Sequence, residues 1–234
     1  MSIKCVWEHN GRDSILYADN YIGAFTRGAS QEEAVRKMPE EIRRFQLWKG
    51  EPIDDYSVEI IQEKESDLQI KDADSDVLFR TEEMPLSAEE YLYLKSVAMK
   101  SAADFLTLYM AFPDKNKSAN PIRKTFYGTV PRTAEEMYQH TKNVNTYYFS
   151  EIGIDVDNEG TIASCRARGF DALEAIPNYL SMKVVTGSYD ELWSVRKVLR
   201  RFIWHDRIHA KAMYKMGTIT FGADAIPDVF GFER

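Results

Sequence analysis

The stretch WHDRIHAKAM, residues 204–213, decides how this chain is read. It places His205 and His209 four positions apart, and the whole chain of 234 residues has only four histidines. The flanking residues Leu192, Val195, Leu199, Phe202, Met213 and Met216 recur at helical spacing, and both imidazoles fall on that apolar stripe. Ser188 with Glu191 has the capping-box pattern and predicts the start of this helix; Gly217 predicts its end.

Working outward, the chain from residue 85 predicts three more helices. Ser87 with Glu90 opens the first, which carries Tyr91, Leu94, Ala98, Phe105 and Phe112 and closes at Pro113. Thr133 with Glu136 opens the second, with Met137, Val144 and Tyr148, ending at Gly153. The third is expected from about Phe170 to Lys183, bent at Pro177. Four such helices predict a four-helix bundle. The link GIDVDNEGTIASCRAR is long enough to return along the bundle, so helices two and three can run parallel. The short link near residue 187 makes three and four antiparallel, and four then runs against two.

His140 lies on the stripe of the second helix, between Met137 and Val144. It stands about 10 Å from the start of that helix, and His209 about 12 Å from the expected end of its own, at 1.5 Å per residue. In antiparallel helices these depths coincide, so the three imidazoles meet at one level. Histidines at i and i+4 share a face and can chelate one ion. Neutral imidazole suits zinc, nickel, copper or iron. Three protein ligands leave positions open, the arrangement of catalytic rather than structural sites. Such a centre activates water or a thiolate. Glu136, one turn before His140, is a lesser catalytic candidate, because the same residue is needed for the cap. Asp206 lies about 100° around the helix from His205 and reads as a surface charge. Tyr147 and Tyr148 are candidate pocket residues. The competing reading is a histidine cluster that only packs.

Apolar content of 44% and charged content of 29% are those of a globular chain with its own core. Residues 1–84 carry 11 Lys+Arg against 19 Asp+Glu, a net of −8, whereas residues 85–234 carry 19 against 18, a net of +1. This predicts two units, 1–84 and 85–234, and no basic stripe offers nucleic acid a footprint. The densest apolar run, FLTLYMAF at 105–112, is too short to span a membrane, and the N-terminus lacks a signal-type apolar region. Cys5 and Cys165 are far apart and read as buried thiols. These observations predict a cytoplasmic protein. In the first unit DSILYADNYIGAFTRGAS reads as two strands, Ser30 with Glu33 caps a helix that Pro39 should kink and Gly50 stop, and YSVEIIQE and DVLFRTEE read as further strands. The expected fold class is α+β: a small ββαββ unit, then the bundle.

The stretch IGAFTRGASQEEAVRKMPEEI resembles the HicB-like antitoxin domain, whose members bind a partner protein. The helices TAEEMYQHTKNVNTYYF and WHDRIHAKAM look like those of the DinB/YfiT-like metal-binding superfamily. That resemblance covers about residues 85–217 and implies a bundle with a parallel second and third helix. It implies a divalent metal, zinc or nickel, on His140, His205 and His209, and a homodimer. It also implies transfer or isomerisation chemistry using a low-molecular-weight thiol. The family's HHRGQ-type helix ending is replaced here by IHAKA, which leaves the ligands but puts the substrate in doubt. The expectation is a metal-dependent transferase or hydrolase acting on a small molecule. The alternative is a binding protein whose HicB-like unit recognises a partner.

Overall fold

In SIKCVWEH, Ile3, Cys5 and Val6 are buried while Lys4 is exposed, and the run forms β1 (Ser2–His9). It opens an α+β fold of five α-helices and a mixed four-stranded sheet in the computed structural model, which describes residues 2–53 and 57–233. β2 (Ser14–Ala18) and β3 (Phe25–Gly28) follow antiparallel, α1 (Gln31–Lys49) crosses over, and β4 (Ser57–Glu65) pairs parallel to β1. The sheet order is β3-β2-β1-β4. A parallel partner needs a long connection, and α1 supplies it.

The first unit is therefore βββαβ, not the expected ββαββ. β1 was not foreseen, and DVLFRTEE forms no strand. Val77 and Phe79 are buried beneath Tyr17 and Trp204, and Arg80–Glu83 is a 3-10 turn. The Gln62 side chain bonds Leu78 O (2.9 Å) and Arg80 N (2.8 Å), so a side chain satisfies backbone groups that a ladder would otherwise pair. The strand read from YSVEIIQE exists from Ser57; Tyr56 lies outside the described residues. Ser30 caps α1 as expected, and Gly50 ends it at φ 75°. The helix continues through Pro39, with Met38, Ile42 and Phe45 buried on either side of it.

α2 (Ala88–Met110), α3 (Ala134–Ser150), α4 (Ile162–Glu174) and α5 (Val195–Phe221) pack together. Their directions follow from residue pairs. Ile162 N donates to Tyr138 Oη (3.2 Å), Arg166 Nε donates to Asn145 Oδ1 (3.0 Å), and the Phe149 ring fills the space a Cβ on Gly169 would take. Partners ascend together, so α3 and α4 are parallel. Between α3 and α5 they run oppositely: Tyr148 meets Phe202 (5.4 Å between ring centroids) and His140 meets His209 (4.6 Å).

Two helices sit elsewhere than expected. α4 occupies the second half of the predicted link, because Thr161 caps it and Pro177 stops it. Its stripe includes Arg166 and Gly169, which an apolar count passes over. α5 begins after Ser194, whose hydroxyl accepts from Lys197 N, rather than at Ser188. It runs through Gly217, which is inside the helix because a Cβ there would press on the Phe112 ring and Ile226. Among the described residues no helix is long and apolar enough to cross a membrane.

α5 is the axis of the molecule. One hydrophobic cluster joins Ile3, Leu16 and Phe45 to Leu94, Phe149 and Phe202. The surplus of acid before residue 85 is expressed partly at this contact. Arg200 pairs with Glu82 (2.5 Å), and Arg207 with Glu41 (2.7 Å).

Candidate metal centre

His140 and the pair His205 and His209 do converge. Their candidate ligand nitrogens all lie within 4.8 Å of one another, close enough to hold one metal ion. The ring centroids are 5.2 Å apart for His140 and His205, 4.6 Å for His140 and His209, and 4.4 Å for His205 and His209. The cause is local. One helical turn aligns His205 with His209 on α5. The antiparallel course of α3 brings His140 opposite them. The depth estimate placed the end of α5 at Gly217, four residues early, yet the convergence stands because Tyr148 against Phe202 independently sets the register.

His205 is buried; His140 and His209 are half-buried. All three imidazoles are held neutral. Burial lowers the pKa of His140. Burial, then the neighbouring His209 and His140, hold His205 well below its ordinary range. Burial and His140 bring His209 down to about 3. Neutral imidazole is the form that donates to a metal.

The cluster lacks the partners that usually orient such rings. Among the described residues no hydrogen bond reaches any of the three, and the buried Nδ1 of His205 is unpaired. Packing holds them instead, with Tyr148 meeting His205 edge-on at 6.0 Å between centroids. A buried polar atom without a partner costs about 1–3 kcal/mol. Three neutral imidazoles at this spacing fit a divalent ion that accepts nitrogen ligands.

Glu136 does not join them. Its carboxylate turns back to accept from Arg132 N (2.8 Å) and Thr133 N (3.0 Å), completing the capping box, and those N–H groups hold it below the usual carboxylate range. Of the tyrosines, Tyr148 borders the site, whereas Tyr147 is partly exposed against Trp193. His9, in β1, stacks on Trp7 at 3.8 Å and bonds Glu63.

Asp206 is not a surface charge. It is fully buried and takes a bidentate contact from Arg166 of α4, one arm at 3.0 Å, as well as the Ser101 hydroxyl of α2. Sequence reasoning missed this pair because Arg166 was read as part of a link. The apolar spacing of Ile162, Cys165, Phe170 and Leu173 was the signal that could have revealed it.

Compared with known proteins, the chain matches no family model, no curated protein and no solved structure.

Proposed function

We propose that the chain is a metal-dependent enzyme in which His140, His205 and His209 hold one divalent ion, zinc or nickel, for transfer or hydrolysis on a small molecule. One observation carries this: candidate ligand nitrogens of three imidazoles from two helices lie within 4.8 Å of one another, and a buried ring nitrogen of His205 has no hydrogen-bond partner. The parallel course of α3 and α4 supports the likeness to the DinB-like bundle, and so does the order of the ligands along the chain. When bound, the ion would supply Lewis acidity and lower the pKa of a coordinated water or low-molecular-weight thiol.

The chain's own residues have separate tasks. His205, buried against Tyr148, provides the inner donor. His140 and His209 close the set from the half-exposed side, where a substrate enters. The depressed proton affinity of the three rings keeps them available as donors well below neutral pH. Asp206 and Arg166, neutralising each other one residue away, fix the rotation of α5 and so the aim of His205.

Elemental analysis of untagged protein tests the reading. The expected result is about one zinc or nickel per chain, lost on His209→Ala. Full metal retention in a variant with all three histidines changed to Ala would overturn it.

A further inference from the structure

A second feature lies on the other side of α5. A groove of about 610 Å³ runs between β3, α1 and the exposed part of α5. Its lining includes six cations, Arg27, Arg36, Lys37, Arg44, Lys211 and Lys215, against two carboxylates, Glu40 and Glu41. The chain as a whole has 30 basic and 37 acidic side chains, so this surface is the reverse of the average.

The two carboxylates are already engaged. Glu41 pairs with Arg207 behind the groove wall (2.7 Å), and Glu40 pairs with Arg43 and Arg44 (2.7 and 2.8 Å). Arg36, Lys211 and Lys215 are exposed and have no ion-pair partner among the described residues. Arg27 is held in place by the carbonyls of Ile70 (3.0 Å) and Lys71, and Lys37 by the Arg27 carbonyl (2.8 Å) and by an ion pair with Glu33 (2.5 Å). Arg27, Arg36, Lys211 and Lys215, from three separate elements, thus bring to one concavity charge that no carboxylate of its lining pairs, which favours an anion.

We infer that this groove binds a small multivalent oxyanion, a polyphosphate or polycarboxylate. Its volume lies within the range of small-molecule sites. A long polyanion is disfavoured, because α1 carries Glu32 and Glu33 beside the groove and the chain is net −7. Apolar contact comes from Phe25, Ile208 and Ala212, which suits a ligand with a hydrophobic portion as well as charge. None of the three histidines lines the groove. The inference does not depend on metal there.

Calorimetric titration of the full chain, freed of metal with a chelator that is then removed, tests it. Inorganic pyrophosphate and citrate are the two probes. At least one should bind with a micromolar Kd that weakens as salt is raised. The double variant Lys211→Glu, Lys215→Glu should lose at least tenfold, and Arg36→Glu, on a different helix, should also lose severalfold. These side chains are exposed, and unchanged circular dichroism would confirm folding. The control Lys124→Glu, an exposed cation that does not line the groove, should bind as the parent does. Pyrophosphate binding alone assigns a phosphate ligand, and citrate binding alone a carboxylate. Binding of neither probe below millimolar would overturn the inference. So would parent-like affinity in the α5 double variant, or an equal loss of affinity in Lys124→Glu.

Discussion

Where α5 meets α1, α4 and the turns holding Glu82 and Glu191, its buried charges have partners. Arg200 faces Glu82, Arg201 and Lys197 share Glu191, Arg207 faces Glu41, and Asp206 faces Arg166. Where it meets α3, three imidazoles gather with no hydrogen bond to any of them among the described residues. The same helix therefore hides polarity in two ways. Matched pairs hold neighbouring elements in register, and their loss is felt as instability. Unmatched donors contribute little to holding the fold and are free to take a ligand. Each prediction below presses on that contrast.

The largest effect is expected at Asp206→Ala. It leaves the fully buried Arg166 guanidinium without its carboxylate. Breaking a buried pair by removing one partner costs about 3–5 kcal/mol. Replacing Arg166 and Asp206 together by apolar residues of similar volume should recover most of that loss. Urea unfolding of the single and double variants checks both statements. A loss below about 1 kcal/mol for the single change would make the pair dispensable.

Changing all three histidines to Ala should instead remove a response to metal. Zinc or nickel at about 100 times Kd should stabilise the parent by about 2.7 kcal/mol, by mass action on the folded state alone. The triple variant should show no such gain. The comparison is read from unfolding curves with and without the ion. An equal gain in both proteins would place the metal elsewhere.

Acid sharpens the contrast further in the metal-free chain. The unfolded histidines take up protons near pH 6.5. The folded ones resist, and His209 does so down to about 3. Between those values the unfolded state binds more protons. The contribution is thus fully present above pH 6.5 and is lost as pH falls. Each histidine kept neutral steepens the loss by up to about 1.4 kcal/mol per pH unit. Denaturant midpoints from pH 6.5 to 4.5 should fall more steeply for the parent than for the triple variant. Parallel slopes would show that the cluster titrates as if exposed.

Much of the site was legible in the sequence because two periodic helices carry it. Met137 and Val144 bracket His140, and Phe202 and Met213 bracket the pair, so facing could be read from spacing alone. The bundle's directions came out as expected, but the loop lengths they were read from did not: α3 and α4 are joined by residues 151–161 and α4 and α5 by 175–194. The paired side was not legible. Asp206 looked like a surface charge because its angular offset from His205 was taken to mean exposure. That inference needs a helix with a solvent face, and α5, packed by α2, α3 and the 3-10 turn at Arg80–Glu83, has almost none there. α4 was displaced for a related reason: its inward stripe includes an arginine and a glycine, one neutralised by Asp206 and the other making room for Phe149. β1 was overlooked because its Cys5–Val6 step breaks strict alternation, where the register with β4 shifts.

The smallest predicted effect concerns Glu136, which the sequence allowed either as a base beside His140 or as a cap. Its carboxylate accepts from Arg132 N and Thr133 N and so satisfies backbone donors at the start of α3. Glu136→Ala should therefore cost about 1 kcal/mol of stability, the usual value of a lost helix cap. It should leave the metal content unchanged, because the His140 ring is set by the later turn against α5. Glu136→Gln keeps an acceptor in the same place and should cost less. Urea unfolding gives the stability and elemental analysis the metal. A variant that kept its stability but lost its ion would join Glu136 to the unmatched side. One that lost stability and kept its ion would leave it with the paired residues, as a device that holds α3 rather than one that acts on a ligand.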